Sequence, residues 1–401
     1  MKESRVCRLG AFSAATLISA SSFAQAPTPP PAAAAPAPAP TPPASPAPPP
    51  PPSEFPPISV GVWTRAAVAI QGSDPKKLDD IGFDTQFAEV NFSGQIHKNA
   101  RVATNIQANG LAGTVSILDA WIGLDFIDEA HLWVGQLLIP VDRANKAGPF
   151  FSIPWNFFPG LFVVGGTRVI VTPLEGSSGR GTGGVLWGDL LGGKLKYWLG
   201  AFLDPTSNLA AHPLYSGRAT YSILGKERGG FGQAACFYGA SEGDVLSLSA
   251  GGQYRKEGSV GPAPAMGAAP TDDFAEVNAD LFGEFKLGGE AFVNGEIDYY
   301  HYSGDFNPAK DQFSVMAAYA SPVIGWGQIQ PMLRYQFATG DSGGPDARTE
   351  AAIDAQVGYI IRQQRFRVIA NYQYMKLKNQ PGTTEDVTGN KIQIAVQAQF
   401  F

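Results

Sequence analysis

The sequence predicts an all-β protein: a transmembrane antiparallel β-barrel of about 16 strands, with 18 as the fallback, and one long loop folded into its bore. Three observations carry this. Apolar and polar residues alternate with period two in segments of roughly ten residues, the length a tilted strand needs to cross a bilayer. Only 16% of residues are charged, whereas a soluble chain carries about 25%; Gly, Gln, Asn, Ser and Thr supply the polarity instead. Beyond residue 58 no stretch of about twenty apolar residues occurs, so crossing falls to strands rather than helices.

The first segment stands apart. Lys2, Arg5 and Arg8 precede an apolar run from Leu9 to Ala20, and Ala24-Gln25-Ala26 gives a small-x-small cleavage pattern. Residues 1–26 are expected to be a signal peptide, cleaved near Ala26. Cys7 leaves with it, so Cys236 is the sole cysteine of the mature chain and no internal disulfide is expected. Residues 27–57 are almost only Pro and Ala. Proline fixes φ and lacks an N–H, so this stretch can join neither helix nor ladder and is expected to be a disordered periplasmic linker. Contact with the cell wall through it is the alternative to a tether without a ligand. The barrel domain then covers residues 58–401.

Individual strands follow from the alternation. In KLKYWLGAFL, Leu195, Tyr197, Leu199, Ala201 and Leu203 share a face. In FAEVNADLFGEFKL, Ala275, Val277, Ala279 and Leu281 oppose Glu276, Asn278, Asp280 and Glu284. QIQPMLRYQF sets Ile329, Leu333, Tyr335 and Phe337 against Gln328, Gln330, Arg334 and Gln336. RFRVIANYQYM sets Phe366, Val368, Ala370 and Tyr372 against Arg365, Arg367, Asn371 and Gln373. Further segments begin near Ile58, Phe83, Arg101, Ser116, His131, Thr182, Tyr215, Phe231, Asp244, Val293, Asp311 and Glu350. With KIQIAVQAQFF these make about seventeen candidates, and an even number is required of a single-chain bacterial barrel. The extra pair of an 18-strand barrel would come from LFVVGGTRVIVT. The last strand is expected to pair with the first, within ISVGVWTRAAVAIQ, because in lipid every backbone polar group needs an internal partner. Ile392, Ile394, Val396, Ala398 and Phe400 would then face lipid.

Residues 141–180 are too long and too rich in Gly, Pro and aromatics for a hairpin turn, which marks a functional loop. Folded into the lumen, it makes Arg143, Lys146, Arg168 and Arg180 candidates for a constriction. Alternation points Arg65, Arg101, Lys194, Lys196, Arg218, Arg334, Arg365 and Arg367 into the lumen, along with Glu89 and Glu296. Basic rings select anions and acidic rings cations; each of these side chains could equally pair with a neighbouring acid and hold the wall. Phe150, Phe151, Trp155, Phe157 and Phe158 are expected to pack the loop on the wall. The four histidines, His97, His131, His212 and His301, have neither metal-ligand spacing nor a nucleophile motif beside them. No cofactor or metal is expected, and a net charge of −6 does not suit nucleic acid.

Several of these segments together resemble the phosphate-selective porin O and P family: ILDAWIGLDF, HLWVGQLLIPVDR, GRGTGGVLWGDLLGGKLKYWLGAF and YSGRATYSIL. The resemblance spans most of residues 58–401. It implies a sixteen-stranded, trimeric outer-membrane pore of a Gram-negative bacterium, passing small hydrophilic solutes, with anions such as phosphate among them. The aromatic end resembles the strand that such barrels present to their assembly machinery. One departure bears on the solute. Phosphate-specific members carry arginines on the second strand, and FDTQFAEVNFSGQI has none. Carboxylates in their place repel phosphate, which arginine would clamp through paired N–H donors. The competing readings are a membrane anchor tethered to the cell wall and a barrel-embedded hydrolase.

Overall fold

The computed structural model describes residues 58–72, 78, 80–156, 163–164, 167–168, 179–203, 212–227, 230–260, 270–305, 310–340, 349–378 and 386–400. The expected signal and Pro-rich linker, together with Phe157, Phe158 and Phe401, lie outside these residues.

The chain runs through β1 (Ile58–Gly72), β2 (Asp80–His97), β3 (Ala100–Asn109), β4 (Thr114–Ile127), β5 (Ala130–Leu138) and a single-turn helix α1 (Arg143–Ala147). Then come β6 (Val163–Val164), β7 (Thr167–Arg168), β8 (Arg180–Leu190), β9 (Leu195–Leu203), β10 (Leu214–Leu224), β11 (Val245–Val260) and β12 (Thr271–Gly288). It finishes with β13 (Ala291–Ser303), β14 (Asp311–Ala320), β15 (Gln328–Thr339), β16 (Thr349–Ile361), β17 (Phe366–Lys378) and β18 (Val387–Phe400). All but β6 and β7 close into one antiparallel barrel, each strand paired with its chain neighbour and β1 paired with β18. That makes sixteen barrel strands. Val62 pairs with Phe400 and Gly72 with Asn390, which is the closure expected from the final alternation.

Two expectations about strands need correcting. The segment from Phe231 is not a strand. It belongs to the β10–β11 connection, residues 225–244, which folds into the lumen. An extended chain lying on a wall buries alternate residues, here Phe231, Gln233 and Ala235, so it mimics strand periodicity. The LFVVGGTRVIVT stretch adds no barrel pair. Its described residues form a two-residue ladder, Val163 to Arg168 and Val164 to Thr167, separate from the barrel sheet.

Alternation sorts the two faces. On β15, Ile329, Leu333, Tyr335 and Phe337 are exposed outside, while Gln330, Arg334 and Gln336 are buried inside. The same holds on β18 for Ile392, Ile394 and Val396 against Gln393, Gln397 and Gln399. An apolar exterior on a closed sheet makes this a membrane-spanning barrel. The aromatic belt is uneven, however. All 13 tyrosines lie at or beyond position 197. Tyr215, Tyr254, Tyr299, Tyr319, Tyr335 and Tyr372 are exposed on the outer face of β10–β17. The outer face of β1–β8 therefore carries none.

The β10–β11 connection lies at the barrel end of the other short links, such as residues 98–99, 128–129 and 289–290. The described start of the β5–β8 connection, residues 139–156, enters from the opposite end. The bore is thus filled from both mouths.

Candidate functional site

The loop after β5 has too many prolines and aromatics to satisfy its own backbone, so its carbonyls need donors from the wall. Arginines supply them. Arg65 donates to the Trp155 carbonyl at 2.9 Å, Arg334 to that of Asn156 at 2.6 Å and Arg367 to that of Ser152 at 2.8 Å. Gln356 donates to the Ile153 carbonyl and accepts from the Trp155 N–H. Phe150 and Trp155 are buried, and the Arg65 guanidinium lies 3.8 Å over the Trp155 ring. Phe150, Phe151 and Trp155 thus pack the loop on the wall; Phe157 and Phe158 lie outside the described residues. Gly251 on β11 matters here, because a Cβ at that position would come within 2.2 Å of the Val141 carbonyl.

Near the start of the loop sits α1, capped by Asp142, whose carboxylate accepts from the Asn145 N–H at 2.7 Å. Arg143 is fully buried. It donates to Asp280 at 2.9 Å, to Glu227 at 2.7 Å and to the Ala234 carbonyl at 2.9 Å. Arg218 donates to the other oxygen of Asp280 and to Gln233. Arg143 therefore joins the wall, the loop and the β10–β11 segment. The two inward segments also meet directly: Ala235 N–H donates to the Phe151 carbonyl and the Tyr238 hydroxyl to that of Ser152. Lys146 is buried, its ammonium 3.9 Å from the centre of the Phe231 ring and 4.2 Å from that of Trp198. Burial pushes its pKa well below the ordinary lysine value.

Most of the basic residues read as rungs are therefore anchors of the loop or wall. Lys196 is buried, with Asp189 and the Gly230 carbonyl as partners. Glu296 faces Ala144 and Pro154 across a void of about 20 Å³ beside Asp298. Lys194 and Arg365 do not point into the lumen. Both are exposed in the turns that follow β8 and β16, where the alternation carries past the strand end. Arg168 lies in β7, outside the barrel sheet. Arg101 pairs with Asp125 at the rim, beside His131.

Two cavities lie against β1–β4. One cavity, of about 370 Å³, is lined by Trp63, Glu89, Lys146, Phe150, Arg180 and Glu227, among others. A second, of about 570 Å³, runs on past Ser59, Ser93 and Trp121. They share Trp63, Asn91, Asn105 and Asp119, so they adjoin along the wall, and together they are called the passage. Its cation on the wall, Arg180, sits 3.2 Å from Asp119. Glu89 accepts from Asn105 at 3.0 Å and Gln107 at 2.9 Å. Of the residues expected at the constriction, Lys146, Arg180 and Glu89 thus meet at the passage; Asn91, Asn105, Asp119 and Trp63 join them. The inward phase of β1–β4 is the signal that points to these four.

Asp142 gives the loop a pH response. Burial, the largest influence, raises its pKa to about 7, with Asp280 and Glu296 adding to the rise and Asn145 and Arg218 opposing it. A carboxyl raised on folding favours the docked loop at low pH, and that contribution is lost as pH rises through about 7. Lys146 acts with the opposite sign, since burial disfavours its ammonium. In a Lys146→Met background, open-channel noise should therefore rise between pH 5 and pH 8. Adding Asp142→Asn, which keeps the cap without ionising, should flatten that rise.

A closed sixteen-stranded antiparallel barrel with an apolar exterior and a loop folded into the bore is the architecture of outer-membrane barrel proteins. Comparisons with solved structures agree on the fold. OprB of Pseudomonas putida matches with a TM-score of 0.60 at 13% identity, covering 86% of this chain and 94% of that one. An anion-selective porin from Comamonas acidovorans matches with a TM-score of 0.53 at 12% identity, covering 86% and 99%. A trimer form of OmpT, an outer membrane protein of Vibrio cholerae, matches with a TM-score of 0.53 at 13% identity, covering 86% and 99%. No protein-family model matches the chain, and no curated protein matches it in sequence.

Proposed function

We propose that this chain is an outer-membrane porin, a passive diffusion channel for small hydrophilic solutes, whose path follows the β1–β4 wall. The observation that carries this is the pair of cavities sharing Trp63, Asn91, Asn105 and Asp119, enclosed between the β1–β4 wall and the two inward segments. Purified protein in planar bilayers should give discrete conductance steps; folded barrels that give none would overturn the proposal.

The path does not favour anions. Glu89 and Asp119 line it against Arg180 and Lys146, while Arg143, Arg218, Arg334 and Arg367 are committed to acids, Glu227 among them, or to loop carbonyls. This supports a mild cation preference rather than the phosphate preference that the sequence resemblance implies. Arg180→Ala leaves Asp119 without its partner. Two charges 4 Å apart interact by about 1 kcal/mol in water, so the cation-to-anion permeability ratio should rise about threefold to fivefold. Reversal potentials under a KCl gradient measure this, and a strongly anion-selective wild type would refute the assignment.

The OmpT barrel of Vibrio cholerae is described in a trimer form, and trimer formation here would explain the uneven belt. Tyrosine anchors the membrane interface; a face without it, β1–β8, suits contact with another copy of this chain. Ile122→Cys on β4 should then form intermolecular disulfides in native membranes, and Leu333→Cys on β15 should not. Equal cross-linking at both positions would count against this face.

A further inference from the structure

We propose that the passage holds a binding site for a neutral polyhydroxylated solute, a monosaccharide or polyol, centred on the pair Asn91 and Asn105. The proposal rests on the channel reading above and names its solute class. Asn91 lies directly opposite Asn105 across β2 and β3, and Asn105 lies opposite Asp119 across β3 and β4. Gly61 on β1 continues the row opposite Asn91. All but Gly61 line both cavities.

The hydrogen-bonding capacity of this row is partly unused. Asn105 is only 6% exposed, and its Nδ2 donates to Glu89. Its Oδ1 has no protein partner, and neither has the Nδ2 of Asn91. A buried polar group left without a partner is costly, so native structures seldom leave one without a role. Both atoms are closed off, so the row offers one acceptor and one donor, with the Asp119 carboxylate adjoining, once a solute turns the two amides toward the passage. A hydroxyl both donates and accepts, so a chain or ring of hydroxyls can satisfy all three groups.

Charge and shape narrow the class. The Asp119 carboxylate is already neutralised by Arg180, and that of Glu89 takes two amide N–H groups. An anion would meet both carboxylates, and a simple cation would leave the Asn91 donor unused. Trp63 and Trp121 flank the row on β1 and β4. Trp121 is held by stacking on Trp133, ring centroids 3.8 Å apart and 13° from parallel. Flat aromatic surface bordered by a few placed polar groups is what the C–H face of a sugar ring matches.

The test is ion current through the purified full-length chain while D-glucose is titrated, with a dextran too large to enter as the viscosity control. Glucose should lower the current saturably beyond the viscosity effect. Asn105→Ala and Asn91→Ala should each raise the half-blocking concentration about fivefold to tenfold, the effect of losing a buried hydrogen bond. Val68→Ala, on the outer face of β1, should not. Two variants are used because Asn105→Ala also removes a bond to Glu89; heat-modifiable gel mobility shows which are folded. Normal ion current with only a viscosity effect from glucose would overturn the site and leave the channel standing. Stronger block by inorganic phosphate than by glucose would overturn the solute class. Absence of ion current from folded barrels would remove the channel reading itself.

Discussion

Arg143→Ala should raise single-channel conductance at least twofold and make the current flicker, while leaving the barrel folded. The fully buried guanidinium donates to Asp280, Glu227, Ser247 and the Ala234 carbonyl, and it lies 4.4 Å over the Phe282 ring. Removing one partner of a buried ion pair leaves an uncompensated charge, at a cost of about 3–5 kcal/mol. The Glu227 pKa, which Arg143 holds below the ordinary carboxylate range, would rise. Nothing local can absorb this cost, because α1 has five residues and so short a helix is not stable by itself. The strain falls on docking of the loop, not on the sheet, whose ladders do not involve Arg143. Heat-modifiable mobility should be unchanged, and Arg143→Lys should restore part of the wild-type conductance. Unaltered conductance in a folded Arg143→Ala barrel would mean that this loop does not narrow the path.

Glu284→Ala should release the other inward segment, and Cys236 reports it. The Glu284 carboxylate accepts from the backbone N–H of Phe237 at 2.8 Å and of Gly239 at 3.0 Å, and from the Cys236 thiol at 3.4 Å. Two buried backbone donors would lose their acceptor, each at a cost of about 1–3 kcal/mol. In the wild type Cys236 is only 2% exposed. Burial, then the neighbouring Glu284 charge, pushes its thiol well above its ordinary value, so little reactive thiolate forms. Labelling by a bulky maleimide should therefore be slow, and should speed up about tenfold or more when the segment opens. Glu284→Gln, which still offers an acceptor, should fall between the two. If labelling of the alanine variant stayed as slow as in the wild type, Glu284 would not be the anchor.

These two joints were the least legible part of the sequence. Arg143 stood out as a loop cation, but its partners Glu227, Asp280 and Ala234 are between 84 and 137 positions away along the chain. The β10–β11 segment was disguised by its own regularity, since Phe231, Gln233 and Ala235 alternate as a strand does. Lys194 and Arg365 carried the right parity, and each lies one residue before the strand that gave it. By contrast, Glu89 sits inside a paired strand, where parity fixes the face, while Arg180, read as the end of the loop, is the first residue of β8.

Local chemistry alone therefore settles the cylinder: period-two alternation, the shortage of charge and the need to pair every backbone group in lipid require strands that close on themselves. It also settles which side chains of a strand look inward. The use of those inward side chains is a tertiary matter. Whether an arginine meets solute or a loop carbonyl depends on where the two inward segments lie, and that is fixed by contacts between residues far apart in the chain. The passage along β1–β4 is bounded by those segments as well as by the wall, so no single stretch of sequence encodes it.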